Sequence, residues 1–471
     1  MGFLNTLDKN TNKNTYTENG ALTNDSSLDA VLDYFSMGGA MRNRPTEVVE
    51  LFKKAYNADP LMAVRCMFYL RDVRGGAGER NTFRETLNSL DSDLLGQIVQ
   101  YIPHYGRYDD VPINEHTQAY LKEQFLQDEE DMKNGKPVSL LAKWLPSENT
   151  SSKVTVTKAY KLINYWDWTP ANYRKRVAAL RKYIVLLEQK MSSNEWTNID
   201  YSKIPSQAHR KHIKAFYKHD KDRYTRYLEA LKAGKVKINS GTLFTYEIYD
   251  ELMRDIYSLP TMEEMWKALP DYTNGTNALV MADVSGSMSG RPMSVSVTLA
   301  VYFAERNKGP FANKYMTFTD VPRLVSVQGG TLFDKFVFVQ SKDVGYNTNL
   351  YRAFQAILKA AVDSKAKQEE LPSVLYIISD MEFDDQMSNC DETNFETAKR
   401  EFEEAGYELP HVVFWNVDSR NNQSPATKYD DGVTLISGSN QSAFKYAVEG
   451  KSPLELMTEV LTGERYSQIV I

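Results

Sequence analysis

The stretch Ala278-Leu279-Val280-Met281-Ala282-Asp283-Val284-Ser285-Gly286-Ser287 decides how the C-terminal part of this chain is read. Five consecutive apolar residues describe a strand with both faces buried, and the run ends in a carboxylate, two hydroxyls and a glycine. Residues 278–284 are therefore read as a strand. Similar short runs rich in apolar and β-branched or aromatic residues recur at 315–318, 373–378 and 411–417, with a weaker one at 433–436. Helical stretches at about 292–306, 350–362 and 394–405 alternate with them. Strands bounded by helices predict a parallel sheet covered on both sides, a doubly wound α/β domain over 273–471.

In an extended loop, positions 283, 285 and 287 point the same way, so Asp283, Ser285 and Ser287 converge. Gly286 lets the backbone turn tightly around whatever they hold. The strand at 373–378 leads into Ser379-Asp380, a second carboxylate in the equivalent place, where ligands of open α/β sheets gather. Between these strands Gly345-Tyr346-Asn347-Thr348-Asn349 offers one more hydroxyl. Two Asp, two Ser and one Thr form an all-oxygen set suited to a hard cation; so few protein ligands, with water completing the shell, suit Mg²⁺, with Mn²⁺ the alternative. Taken singly, each residue also fits an ordinary capping or turn role. Asp283 as a phosphoryl-accepting nucleophile is disfavoured, because Ser285 stands where a second carboxylate is expected and no His is close in sequence to 283, 348 or 380.

The order Asp-x-Ser-x-Ser, then Thr, then Asp resembles the von Willebrand factor A domain and its metal-ion-dependent adhesion site (MIDAS), with Asp283, Ser285, Ser287, Thr348 and Asp380 at the five positions. The resemblance implies a Rossmann-like fold, a bound divalent cation, and a protein partner whose acidic residue completes the metal shell.

Outward from this domain, residues 28–272 read mainly as helix, with apolar positions at helical spacing in Val48, Leu51, Phe52 and Ala55 and in Val64, Met67, Phe68 and Leu70. The glycines at 75–78 lack the Gly-Lys-Ser/Thr ending of a phosphate loop and are read as a turn between helices. Residues 1–27, rich in Asn and Thr, are expected to form a polar, flexible tail. No internal repeat is visible, although stacked helical pairs of the HEAT kind can be degenerate beyond recognition in one sequence.

The net charge of −6 is an average over unlike parts. Residues 151–240 hold 20 Lys+Arg against 7 Asp+Glu, a net of +13, whereas 271–471 hold 18 against 27. One long helix is expected to carry the apolar stripe Val177, Leu180, Ile184, Leu187 and Met191, with Arg174, Lys175, Arg181 and Lys182 off it. In a second, Lys211, Lys214, Lys218 and Lys221 form a continuous basic ridge, and Tyr224, Tyr227, Leu228 and Leu231 face inward. Such a ridge suits the phosphates of single-stranded or structured RNA. Tyr160, Tyr165, Trp166, Trp168 and Tyr173 could stack on bases but are read rather as core. His209, His212 and His219 lack metal-site spacing and are read as surface residues.

A helical N-terminal region followed by an A domain is similar in architecture to the Ro ribonucleoprotein (TROVE) family, which implies RNA binding by a ring of helical repeats. A fuller resemblance, to the domain of unknown function 2828 family, is carried by residues 69–80 (YLRDVRGGAGER), 105–111 (YGRYDDV), 143–148 (KWLPSE), 173–175 (YRK), 204–208 (IPSQA) and the metal motif. The expectation is a non-enzymatic, intracellular RNA-binding protein. A metal-dependent protein-interaction scaffold is the alternative, and a metal-assisted nuclease or phosphotransferase a more distant one. Two cysteines, Cys66 and Cys390, make no disulfide framework, and no run approaches a membrane span; both favour a soluble, cytoplasmic location. Met1-Gly2-Phe3-Leu4-Asn5-Thr6 fits the loose myristoylation pattern, which is given little weight.

Overall fold

The chain's first two strands lie where the sequence reads as a flexible tail. In the computed structural model, which describes residues 7–8, 11–184, 186–273, 275, 277–319, 321–342, 349–385, 392–446 and 451–471, β1 (Asn14–Tyr16) and β2 (Leu22–Asn24) form an antiparallel ribbon. The Asn and Thr side chains of this ribbon anchor it by hydrogen bonds, with little apolar burial. The Thr17 hydroxyl donates to the Phe383 carbonyl at 2.5 Å, Asn19 Nδ2 to the Glu382 carbonyl at 2.7 Å, and the Thr23 hydroxyl to the Ser424 carbonyl at 2.9 Å. The tail expectation is thus corrected for residues 11–27.

The domain boundary expected at 272/273 is corrected as well. The chain forms two compact units, Met1–Phe83 with Ser240–Gln468, and Arg84–Asn239 with Ile469–Ile471. Residues 28–83 therefore belong with the α/β domain and not with the basic helices.

In the first unit the expected strands all form: β3 (Ala278–Ala282), β4 (Lys314–Thr317), β6 (Val374–Ser379), β7 (His411–Asn416) and β8 (Val433–Ser437). They are parallel in the order β4-β3-β6-β7-β8, and the short β5 (Leu324–Ser326) adds an antiparallel edge to β4. Neither β5 nor the Leu332–Lys342 helix was expected from the sequence. At three residues, β5 has too little pattern to read. Every residue of β3, β6, β7 and β8 is buried, as a sheet covered on both faces requires. The helices Arg291–Arg306, Leu350–Ser364 and Asn394–Glu404 fall within two residues of their expected bounds.

The helix Ala30–Met37 lies against β8, buried at all but its first residue. Ser437 fixes the approach: its hydroxyl donates to the Phe35 carbonyl and accepts from Gly39 N–H, each at 3.0 Å. The glycines at 75–78 form a turn, as read, and the turn is a docking corner. Gly76 N–H donates to the Asp72 carbonyl, and Asn440 Nδ2 donates to the Gly76 carbonyl at 2.7 Å. A Cβ on Gly76 would lie 1.9 Å from the Tyr69 carbonyl oxygen, so no larger residue fits.

The second unit is helical. Its helices include Gln118–Lys133, Lys153–Trp166, Pro170–Ile184, Ser206–His219 and Lys221–Lys232. Trp166 and Tyr173 are buried, and Phe125 and Trp168 complete their ring cluster. The core reading holds for Trp166 and Tyr173, whereas Tyr165 and Trp168 are half-buried and Tyr160 is exposed. Both long-helix expectations are corrected. The first ends at Ile184, and a separate short helix, Leu187–Ser192, carries Leu187 and Met191. The second breaks at Asp220, whose backbone is non-helical (φ −145°, ψ 42°) and whose carboxylate accepts from the Tyr201 hydroxyl at 2.7 Å and Arg223 Nε at 2.8 Å.

Two glycine substitutions should act with opposite sign. Gly76→Ala is expected to destabilise by about 2 kcal/mol or more through the carbonyl clash. Gly96→Ala, in the exposed interior of the Ser92–Ile98 helix with open space around its Cβ, is expected to stabilise by about 0.5–1 kcal/mol. Unfolding followed by circular dichroism checks both.

Candidate metal centre and nucleic-acid surface

Asp283 and Asp380 follow the neighbouring parallel strands β3 and β6, which are in register at Ala282 and Ile378. Both side chains are buried. Ser379 links them: its hydroxyl donates to Asp283 Oδ2 at 2.8 Å and lies 3.5 Å from Asp380 Oδ1. Asp283 Oδ1 also accepts from Ser285 N–H at 2.9 Å, and the Ser285 and Ser287 hydroxyls are 3.0 Å apart. Four of the five expected residues therefore meet at the carboxyl ends of β3 and β6. Thr348 lies outside the described residues.

Burial, and then the neighbouring Asp380 charge, push the Asp283 carboxyl up to about 7. Asp380 Oδ2 accepts no hydrogen bond, and its nearest cationic partner is Arg420 Nη2 at 3.4 Å. Two adjacent buried carboxylates with an orphaned oxygen, flanked by hydroxyls, form a donor set short of positive charge, and a hard divalent cation fits it. Among the described residues no three His, Cys, Asp or Glu side chains are gathered as a metal site, so hydroxyls and water would have to complete the shell.

Sequence reading missed three participants. Besides Ser379, these are Arg420, whose Nη2 also pairs with Glu18 at 2.8 Å, and Glu382, which accepts from Glu18 N–H at 2.7 Å and from Asn421 Nδ2 at 2.9 Å. Burial raises the Glu382 carboxyl above its ordinary range. Between Asp380 and Glu382, Met381 adopts a left-handed backbone (φ +65°), which turns the chain sharply at the site. Ser379 alone was legible, as the neighbour of Asp380. Glu18 lies 362 positions from Asp380, and nothing in the sequence pattern joins them.

The eight basic residues divide into two groups. Lys175, Lys182, Lys211, Lys214, Lys218 and Lys221 are exposed. Arg174 is exposed as well and Arg181 is half-buried, but neither is a free charge. Arg174 pairs with the buried Glu148 carboxylate. Arg181 donates to the Ala142 carbonyl (2.8 Å), Ser147 Oγ (2.9 Å) and the Leu145 carbonyl (2.7 Å), and burial lowers its affinity for its proton. Lys221 follows the break at Asp220, so the ridge is not continuous.

His209 is likewise corrected. It is fully buried, with Nε2 2.9 Å from the Tyr224 hydroxyl and Nδ1 unpartnered, and burial lowers its pKa to about 3. His219 stacks on Trp196 with ring centroids 4.8 Å apart. Among the described residues, no helix is long and apolar enough to cross a membrane.

Fold and site define an α/β sheet domain with two buried carboxylates at the carboxyl ends of its strands, carried on the same chain as a basic helical unit. Residues 17–92 and 153–280 match the family described as domain of unknown function (DUF2828), and residues 277–466 match domain of unknown function (DUF7788). The resemblance to DUF2828 is thereby borne out. The match includes 69–80, 173–175 and 204–208, whereas 105–111 and 143–148 fall outside it. An uncharacterized protein of Acanthamoeba polyphaga mimivirus is 29% identical, over 95% of this chain and 87% of its own length. The Ro (RSR) protein of Deinococcus radiodurans is a structural neighbour covering 93% of this chain and all of its own, at 11% identity. Its TM-score is 0.34, too low to carry an argument about fold or function.

The buried His209 sets a pH dependence. Unfolding restores its ordinary pKa of 6.5, so between about 3 and 6.5 the unfolded chain binds more protons than the folded one. Stability should fall as pH drops through that window, by up to about 1.4 kcal/mol per pH unit from this group. Denaturant titrations at several pH values should show a shallower loss for His209→Gln.

Proposed function

We propose that this chain is a non-enzymatic RNA-binding protein whose basic helical unit holds RNA and whose sheet domain binds Mg²⁺ at Asp283, Ser285, Ser287 and Asp380, with Thr348 as the fifth expected ligand. One observation carries the RNA reading. Lys175, Lys182, Lys211, Lys218 and Lys221 are exposed, and among the described residues none is paired with a carboxylate. Unpaired ammonium groups at this density attract phosphates, and the attraction is released by salt.

Salt titration of binding to a single-stranded oligoribonucleotide tests it. Affinity should fall steeply with salt. The double reversal Lys211→Glu and Lys218→Glu should flatten the log–log slope by roughly 0.7 or more per lysine. Weak binding without a salt slope would sink the reading, and Mg²⁺-dependent turnover of the RNA would replace it with a nuclease.

The Mg²⁺ part has its own test. Millimolar Mg²⁺ should raise the unfolding midpoint of the wild-type protein and leave Asp283→Asn unmoved. A second reading, a scaffold that recruits an acidic protein partner through the metal, is favoured by one feature. Ser287 is exposed beside the two buried carboxylates, which leaves the cation open to an incoming ligand.

A further inference from the structure

The helical unit contains a cavity of about 490 Å³, within the size range of small-ligand sites. The stretches 108–113 and 143–147 form much of its wall. Two aromatic residues, Tyr108 and Trp144, line it together with four cationic residues, Arg84, Lys143, Lys158 and Arg181.

The cations are not equivalent. Arg84 meets two carboxylates, Asp109 at 2.9 Å and Asp110 at 2.7 Å, which outweigh its charge by one and leave the other three cations in excess. Arg181 spends its donors on two carbonyls and a hydroxyl, so its charge meets no carboxylate in direct contact. Lys143 stands 5.7 Å from the Trp144 ring centroid, and Lys158 is exposed; among the described residues neither is paired with a carboxylate. The cavity therefore combines surplus positive charge with aromatic walls. A ligand that satisfies both carries a planar ring and an anionic group a few ångströms from it.

We propose that this cavity binds one nucleotide, with the base against Trp144 and Tyr108 and the phosphate between Lys143 and Lys158. The nucleotide can be free or part of an RNA strand, and the chemistry of recognition is the same. The proposal deepens the RNA reading by giving it a subsite apart from the exposed lysines of the Ser206–His219 helix.

The test uses the full-length protein and adenosine 5′-monophosphate, with guanosine, cytidine and uridine monophosphates alongside, in isothermal titration calorimetry. At least one should bind with a dissociation constant of millimolar or tighter. Lys158→Glu, at an exposed helix position where folding is not at risk, should weaken it tenfold or more, and Trp144→Leu should do the same. Lys211→Glu with Lys218→Glu should leave nucleotide binding unchanged while weakening oligoribonucleotide binding, so failure of the RNA reading and failure of this site are separable. Competition identifies the source: a monophosphate that displaces the oligoribonucleotide places an RNA nucleotide in the cavity, and one that binds without displacing it marks a free-nucleotide site. Absence of binding by all four monophosphates at 10 mM on the order of the weakest site sought, or binding insensitive to both Lys158→Glu and Trp144→Leu, overturns the proposal.

Discussion

The Asp72 carboxylate is the constraint on which the first unit depends. It is fully buried, yet it accepts from Arg465 at both oxygens, from the Tyr466 hydroxyl at 3.0 Å and from Arg74 N–H at 2.9 Å. A buried carboxylate is tolerated only when its lone pairs are filled, and here donors from two distant parts of the chain fill them. The consequence is topological. The Pro60–Arg71 helix, which ends at Asp72, is held to the C-terminal helix Glu464–Ser467, and the glycine turn between them accepts Asn440. Residues 28–83 are thereby an integral layer of the sheet domain, though nearly 200 residues separate them from its first strand.

That arrangement explains what was legible in the sequence. Burial on both faces writes itself into a parallel strand as an unbroken apolar run, so β3, β6, β7 and β8 were readable one by one. The helices between them carried the 3.6-residue period. The carboxylates Asp283 and Asp380 were readable because the topology of an open sheet fixes where ligands collect. The split of the chain into units was not readable, because it rests on pairings such as Thr17 with Phe383 and Asp72 with Arg465, separated by 366 and 393 positions. Residues 11–27 looked like a tail because their hydrogen bonds need no apolar period. The helix break at Asp220 was missed for a related reason: the lysine spacing continues through it, while the carboxylate that ends the helix is committed to Tyr201 and Arg223.

Counting charges by sequence also overstated the basic surface, and the two cationic residue types explain how. Arg174, Arg176, Arg181 and Arg223 are committed within the helical unit to carboxylates, carbonyls or both, and Arg176 lies 3.9 Å from the centroid of the Trp168 ring. A planar guanidinium can satisfy several acceptors and still rest on an aromatic face, which suits it to interior work. Lysine ammonium groups are compact and strongly hydrated, and they remain outside. Part of the positive charge of residues 151–240 is therefore committed to partners within the fold, whereas the lysines of the Ser206–His219 helix face solvent.

This division bears on what kind of recognition the surface can provide. Hydrated point charges on flexible stems attract any polyanion, and phosphate contacts of that kind position a strand without reading it. Discrimination between ligands requires groups held still, with defined donors and a face for a ring. In the helical unit those properties occur together around Trp144, where Arg181 is fixed by three acceptors and Arg107 lies 5.1 Å from the indole centroid. The surface lysines and the cavity would then perform separable tasks on the RNA reading: capture by charge over a broad face, and selection at one enclosed point where the arginines that stabilise the fold also shape the wall.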